Sequence, residues 1–285
     1  MEPHFDRVTI IGVGLLGASL GLALKCRGLA TSIYGAGHRQ SSLDTALRMG
    51  AVDRVFLNAV EAVEGVDLVV LATPAALVIP KLDEIRGACP PQAILTDVAS
   101  TKQAICAHAR EIWPAPRRFV GSHPMAGSEK FGAEHGRANL YEGSVCLVET
   151  APDLDAAARD AVVSLWRAVG ATVVDIAPAV HDAALARTSH IPHVIASALA
   201  MLAARHGEVR PFVGPGFRDM TRIAASRPEI WRDICITNRE AMLEGLSELN
   251  ARLEAFAEAI KKADAATLES LFQEGHDARR ATVDE

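Results

Sequence analysis

Three groups of residues in this chain have the types and spacing that do chemistry. The first is Val120–His135, VGSHPMAGSEKFGAEH, in which His123 follows a strand-like run and precedes a polar, glycine-rich segment. A histidine that closes a parallel strand stands in the crevice where such sheets bind ligands. Imidazole titrates at about pH 6.5 when unperturbed, which suits it to accept the proton of an alcohol that is losing hydride. The other role open to His123 is to cap the turn before Pro124.

The second group lies in VTIIGVGLLGASLGLAL, where the glycines run Gly12-x-Gly14-x-x-Gly17. Such a pattern alone is weak, because short glycine patterns recur in turns. Directly after a β-branched run and opening a helix it becomes specific: the glycines permit a tight turn, approach of backbone to a pyrophosphate, and close helix packing. Gly12, Gly14, Leu15, Leu16 and Gly17 are the candidates for cofactor contact, with Thr73 and Pro74 at the end of the later run DLVVLATP. A site of this kind normally carries a carboxylate about 20 residues on, which holds the adenosine ribose of NAD. In IYGAGHRQSS that place is held by Gly37, His38 and Arg39. A carboxylate would repel the 2′-phosphate of NADP. Gly37 removes the repulsion, and His38, Arg39 and Ser41, with Gln40 and Ser42, offer donors in its stead. NADP is therefore expected over NAD, the alternative being a solvated loop in which Arg39 does nothing specific.

The third group is split between RTSHIPH (Arg187–His193) and GFRDMTRIAASRPEIWRDI (Gly216–Ile234). His190 and His193, three apart on a helix, suit either a metal pair or the lining of a pocket. No metal site is expected, because no compact set of further ligands lies nearby. Arg218, Arg222, Arg227 and Arg232 stand with Asp219 and Asp233. Such a mixture is either an ion-paired surface or the source of an arginine that clamps a carboxylate at a nucleotide cleft.

These residues need a frame. Strand-like runs at Val8–Val13, Ser32–Gly35, Asp67–Pro74, Ala93–Ser100, Arg118–Pro124, Ser144–Thr150 and Ala171–Ile176 alternate with helical patterns at Leu15–Lys25, Ser42–Met49, Ala76–Arg86, Thr101–Ile112 and Asp153–Val169. Alternation of this kind predicts a Rossmann-type, doubly wound parallel sheet. After Ile176 the chain reads as helices: Pro178–Ala204, interrupted at Pro192, and Pro228–Lys262, with Ile230, Ile234, Leu243, Leu246, Leu249, Leu253, Phe256 and Ile260 at helical spacing. Residues 1–177 are expected to form an NADP-binding α/β domain and residues 178–285 an all-α domain that binds substrate and makes a homodimer, because a long helix needs partners along its face.

Composition narrows the function classes. A chain of 285 residues, 49% apolar and 22% charged, is ordinary for a globular protein, and its net charge of −6 gives no footprint for nucleic acid or an anionic membrane. The five cysteines, Cys26, Cys89, Cys106, Cys146 and Cys235, are scattered and form no CxxC, so neither a disulfide framework nor a zinc ribbon is indicated and a reduced, cytoplasmic protein is expected. The uncharged stretch Val8–Leu24 imitates a membrane segment, but four glycines punctuate it.

Taken in order, TDVASTK, GSHPMAGSEKFG, HDAALARTSHIPH and GFRDMTRIAASRPEIWRD resemble the prephenate and arogenate dehydrogenases of tyrosine biosynthesis over most of the chain. The resemblance implies a nicotinamide-dependent oxidative decarboxylation that aromatises the ring. It implies that His123 contacts the ring hydroxyl, that Ser100 hydrogen-bonds near the histidine and the nicotinamide, and that Arg222 holds the ring carboxylate. By the same resemblance His190, His193 and Trp231 line the pocket, Glu129 and Lys130 belong to a segment covering it, and Glu129 or Glu134 reads the substrate's side chain. Arg227 departs from the family, which often has an acid before this proline. A fused chorismate mutase or regulatory domain of normal size is not expected. Two rivals share parts of the pattern: a β-hydroxyacid dehydrogenase or imine reductase, whose chemistry centres on a lysine or other group, and a non-enzymatic NADP sensor.

Overall fold

Alternate residues of the first apolar run face opposite ways, and both faces are covered. In the computed structural model, which describes residues 3–127, 130–205, 207 and 209–284, this run is β1 (Phe5–Ile11). Val8 and Ile10 join one apolar cluster while Ile11 joins another on the far side of the sheet. A strand buried on both faces reads as a continuous hydrophobic stretch. It is followed by α1 (Leu15–Cys26), β2 (Ala30–Ala36), α2 (Gln40–Arg48), β3 (Arg54–Phe56), α3 (Ala59–Ala62), β4 (Leu68–Leu71), α4 (Ala75–Ile85), β5 (Ile94–Asp97), α5 (Gln103–Ile112) and β6 (Phe119–Val120). The six strands form one parallel sheet in the order β3-β2-β1-β4-β5-β6. The order reverses at β1, so the β1 and β4 carboxyl ends bound the crevice in which such sheets take ligands.

The run Arg118–Pro124 is not one strand. The parallel strand β6 ends at Val120; the chain turns at Gly121 and re-enters as β7 (Ser122–Pro124), antiparallel to β8 (Val145–Glu149). The cause is long-range: the buried Glu149 carboxylate takes the Gly121 N–H at 3.0 Å, and Arg117 clamps that carboxylate from the other side at 2.7 Å. Helix α6 (Ala156–Ala168) leads to β9 (Thr172–Ile176), parallel to β8, which completes a second, three-stranded sheet. The runs at 144–150 and 171–176 are thus strands, but of this mixed sheet.

The helical part begins with α7 (Pro178–Leu185), a π-turn at Ala186–His190 and α8 (Ile191–Ala204). The interruption lies upstream of Pro192, which sits in the first turn of α8, where a missing N–H costs little. Helix α9 (Pro215–Thr221), a 3₁₀ turn at Arg222–Ala225 and α10 (Pro228–Thr237) follow. The stretch Pro228–Lys262 is broken at Asn238, the C-cap of α10, before α11 (Arg239–Lys261) and α12 (Ala265–Arg279). Two compact units result, one running to Arg239 and one from Glu240. In the second, Asp264 caps α12 through the Thr267 N–H at 3.1 Å, and Phe256 meets Phe272 edge to face at 5.1 Å. No helix among the described residues is long and apolar enough to cross a membrane.

Candidate active site

The glycines build an anion cradle. Gly12 has φ +100°, and a Cβ there would meet the Ala72 carbonyl oxygen at 2.5 Å; a Cβ on Gly17 would strike the Gly12 carbonyl. Gly14, by contrast, opens onto free space at the N-terminus of α1, which has no side-chain cap. Unpartnered N–H groups at a helix start attract phosphate oxygens. They open into a cavity of about 490 Å³ lined by Gly14, Leu15 and Leu16, by Thr73 and Pro74 after β4, and by Ser100 after β5. The Thr73 hydroxyl is buried with no hydrogen-bond partner among the described residues. An orphaned polar group, a bare helix start and an apolar slot fit the pyrophosphate and nicotinamide of a dinucleotide. At the end of β2 no carboxylate intervenes: exposed Arg39, at the N-cap of α2, donates through Nε to His38 Nε2 at 3.0 Å, and Ser41 lies exposed in the first turn.

His123 lies on β7 rather than at the end of a parallel strand, and is 9% exposed. Its strand is pinned from below. The Asp97 carboxylate accepts the Ser122 N–H at 3.1 Å and pairs with the buried Lys102 ammonium; the Ser122 hydroxyl donates to the Asp97 carbonyl and accepts from Trp166 Nε1 at 3.0 Å. The ring is held from above by α7, where His123 Nδ1 and His181 Nε2 are 2.9 Å apart and His181 Nδ1 lies 2.8 Å from Asp182 Oδ1. Asp182 Oδ1 accepts the Lys102 N–H at 2.7 Å and Oδ2 the Gln103 N–H at 2.9 Å. Burial holds His123 well below its usual pKa, and His181, Lys102 and His190 press it the same way. The ring is therefore neutral near pH 7 and able to accept a proton. His181 hydrogen-bonds the ring, and Ser100 lines the neighbouring cavity.

The other expected residues fall in two places. His190 is buried; Asn238 Nδ2 donates both to the Asp182 carbonyl at 2.9 Å and to His190 Nδ1 at 3.0 Å, which leaves His190 Nε2 unpartnered among the described residues. Burial lowers His190 to about 4. His193 stacks on Trp231 at 3.4 Å, and the two line a second cavity of about 380 Å³ with Ile223 and Cys235. Arg222 is exposed at the start of its 3₁₀ turn, with its charge close enough to His193 to add to the burial that depresses that imidazole. Lys130 lines the first cavity with Phe131 and Arg227, whose guanidinium sits over the Phe131 ring at 4.9 Å. Glu129 lies outside the described residues. Glu134 is exposed on a 3₁₀ turn that packs on α1, folds its carboxylate over Gly132, and lines neither cavity. No group of three or more His, Cys, Asp or Glu side chains among the described residues is placed to hold a metal ion.

Sequence reasoning missed His181, Asp182, Lys102 and Asn238. The first three stood inside HDAALARTSHIPH and TDVASTK, with no spacing to tie them to His123. The family model "Prephenate dehydrogenase, nucleotide-binding domain" matches residues 20–175, and "Prephenate dehydrogenase, dimerization domain" matches residues 177–274. Prephenate dehydrogenase of Bacillus subtilis is 30% identical over 98% of this chain and 76% of its own length. The crystal structure of prephenate dehydrogenase from A. aeolicus, in complex with hydroxyphenyl propionate and NAD+, superposes with a TM-score of 0.89 at 30% identity, covering 97% of this chain and 98% of that one. Synechocystis arogenate dehydrogenase gives a TM-score of 0.83 at 27% identity, covering 97% of this chain and 100% of that one.

Proposed function

The chain belongs to the prephenate dehydrogenase family, and from that premise and the site we propose that it oxidatively decarboxylates prephenate and arogenate, with NADP preferred over NAD. The observation that carries the reading is a neutral, buried His123, held on two sides, in the same compact unit as a dinucleotide cradle. The α1 N-terminus and the orphaned Thr73 hydroxyl would hold the cofactor, with Ser100 toward the nicotinamide end. A bound nicotinamide supplies the hydride acceptor. His123 accepts the ring hydroxyl's hydrogen bond as hydride leaves the carbon that bears it. Arg222 holds the ring carboxylate until it departs as carbon dioxide. Release of the carboxylate as a neutral gas with gain of aromaticity draws the reaction forward. His190, His193, Trp231 and Lys130 are proposed to line the substrate's side of the pocket.

Residues 1–177 are proposed as the cofactor domain and 178–285 as the substrate and homodimer domain, in keeping with the dimerization-domain match. Lysine-centred chemistry finds its buried candidate, Lys102, engaged by Asp97. The position of Glu134 gives no support to its reading the substrate's side chain. The bare α2 start with His38, Arg39 and Ser41 supports the NADP preference. Specificity constants for prephenate and arogenate, each with NADP and NAD, test the whole reading. Both substrates are expected to react, faster with NADP; activity on neither would remove the proposed function, and equal use of the cofactors would remove the preference.

A further inference from the structure

Two histidines cannot share a hydrogen bond without one of them donating, and the direction between His123 and His181 follows from what lies behind them. Asp182 is 1% exposed, and backbone N–H groups face both of its oxygens: Lys102 at 2.7 Å on Oδ1 and Gln103 at 2.9 Å on Oδ2. Two donors aimed at two oxygens select the ionised carboxylate, which has only acceptors to offer. The nitrogen that meets Oδ1 at 2.8 Å, His181 Nδ1, must therefore carry hydrogen. His181 is fully buried, and burial keeps it neutral, so its remaining nitrogen, Nε2, is bare. A bare Nε2 at 2.9 Å from His123 Nδ1 requires the hydrogen to sit on Nδ1 of His123. The neutral His123 ring then has its lone pair on Nε2.

We infer that His181 and Asp182 are positioning residues that fix His123 in the Nδ1–H tautomer and so make Nε2 the ring's only acceptor. The carboxylate, the first imidazole and the second form a chain in which each member sets the tautomer of the next, and the last presents the base. As His123 takes up a proton at Nε2, its Nδ1–H stays on the bare Nε2 of His181, whose own Nδ1–H is held by Asp182, so the order of the chain is kept. A histidine left free to exchange tautomers would present Nε2–H, a donor, part of the time, and a donor cannot accept the hydroxyl proton. The Lys102 and Gln103 amides that fix Asp182 open α5, directly after the Val98–Ser100 lining of the cofactor cavity. The segment that lines the cavity thus leads straight into the one that orients the base.

This inference rests on the proposed role of His123 in the reaction, but its decisive readout does not need turnover. ¹⁵N-histidine NMR of the cofactor-loaded protein, with the His123 signals identified by their loss in His123→Asn, reports which ring nitrogen carries hydrogen. Nδ1–H with a bare Nε2 is expected in the wild type; the opposite pattern overturns the inference whatever the activity. Two variants give the kinetic arm. His181→Leu removes the acceptor for Nδ1–H and is expected to lower kcat on the order of 10²-fold with KM little changed, the scale on which a misoriented base loses rate. His181→Gln can turn its amide oxygen toward His123, keep the tautomer and stay within about tenfold of wild type. A glutamine variant as inactive as the leucine variant, both folded, would reduce His181 to space-filling. If the wild type turned over neither substrate the proposed function would fall, while the spectrum would still decide the tautomer.

Discussion

A single missing carboxylate makes the sharpest statement about cofactor choice. Gly37 follows β2 and Arg39 stands at the bare start of α2 with its guanidinium against His38. Both side chains are exposed, and on the proposed NADP reading they would donate to the cofactor's 2′-phosphate. Arg39→Ala is expected to lower kcat/KM for NADP by about tenfold, which is the loss of one charge-assisted contact of roughly 1.4 kcal/mol, and to leave the value for NAD within about twofold. A uniform loss for both cofactors would show that Arg39 serves the fold. At this scale the sequence was most readable, because an absent acid or a lone histidine is a local fact. His181 and Asp182 were not readable, since their meaning depends on α7 reaching β7 across 58 residues of chain.

Elements were legible where their periodicity is their own and illegible where another element decides. The strand β1 and the helix α1 followed from the apolar run and the glycines. RFVGSHP reads as one strand, yet Glu149 takes the Gly121 amide and sends the chain into a second sheet. Pro192 looks like a helix breaker, but a π-turn ends just before it and the helix resumes at Ile191 with Pro192 in its first turn, where no N–H is required. The joint between α5 and α7 is likewise a tertiary feature, in which Asp182 satisfies two amides at the start of α5. Asp182→Ala would take this acceptor from the buried Lys102 amide and the part-buried Gln103 amide, and is expected to cost about 2 kcal/mol and about 4 °C in Tm. A variant as stable as wild type would show that these amides find water instead. The loss of His123's anchor should lower kcat as well.

For the molecule as a whole, histidines wholly or partly withdrawn from water write a pH dependence into stability. His123, His181, His190 and His193 all have pKa values pressed below the ordinary value by burial, His190 to about 4. In the unfolded chain they would protonate at about 6.5. Below that pH the unfolded state binds protons that the folded state refuses, so these groups lower stability as pH falls from about 6.5 toward 4. Tm is expected to drop between pH 7 and pH 5, and the drop should be smaller in His190→Asn; an identical slope in the variant would assign the effect elsewhere. Domain-scale features were read from the alternation of strand and helix. The compact units, however, divide at Arg239, with α7 packed on α5 and α10 on α4 of the nucleotide-binding part.

His123 is proposed to accept the substrate's hydroxyl proton, and one comparison tests that role most directly. Wild type and His123→Asn are given prephenate and NADP, with reduced cofactor and carbon dioxide measured together and substrate affinity measured separately. The wild type should release the two products in equal amounts. The variant should bind substrate with similar affinity and lose kcat on the order of 10²–10⁴-fold, the contribution of a positioned base. A variant that turns over at the wild-type rate, or a wild type that reduces cofactor without releasing carbon dioxide, would contradict it.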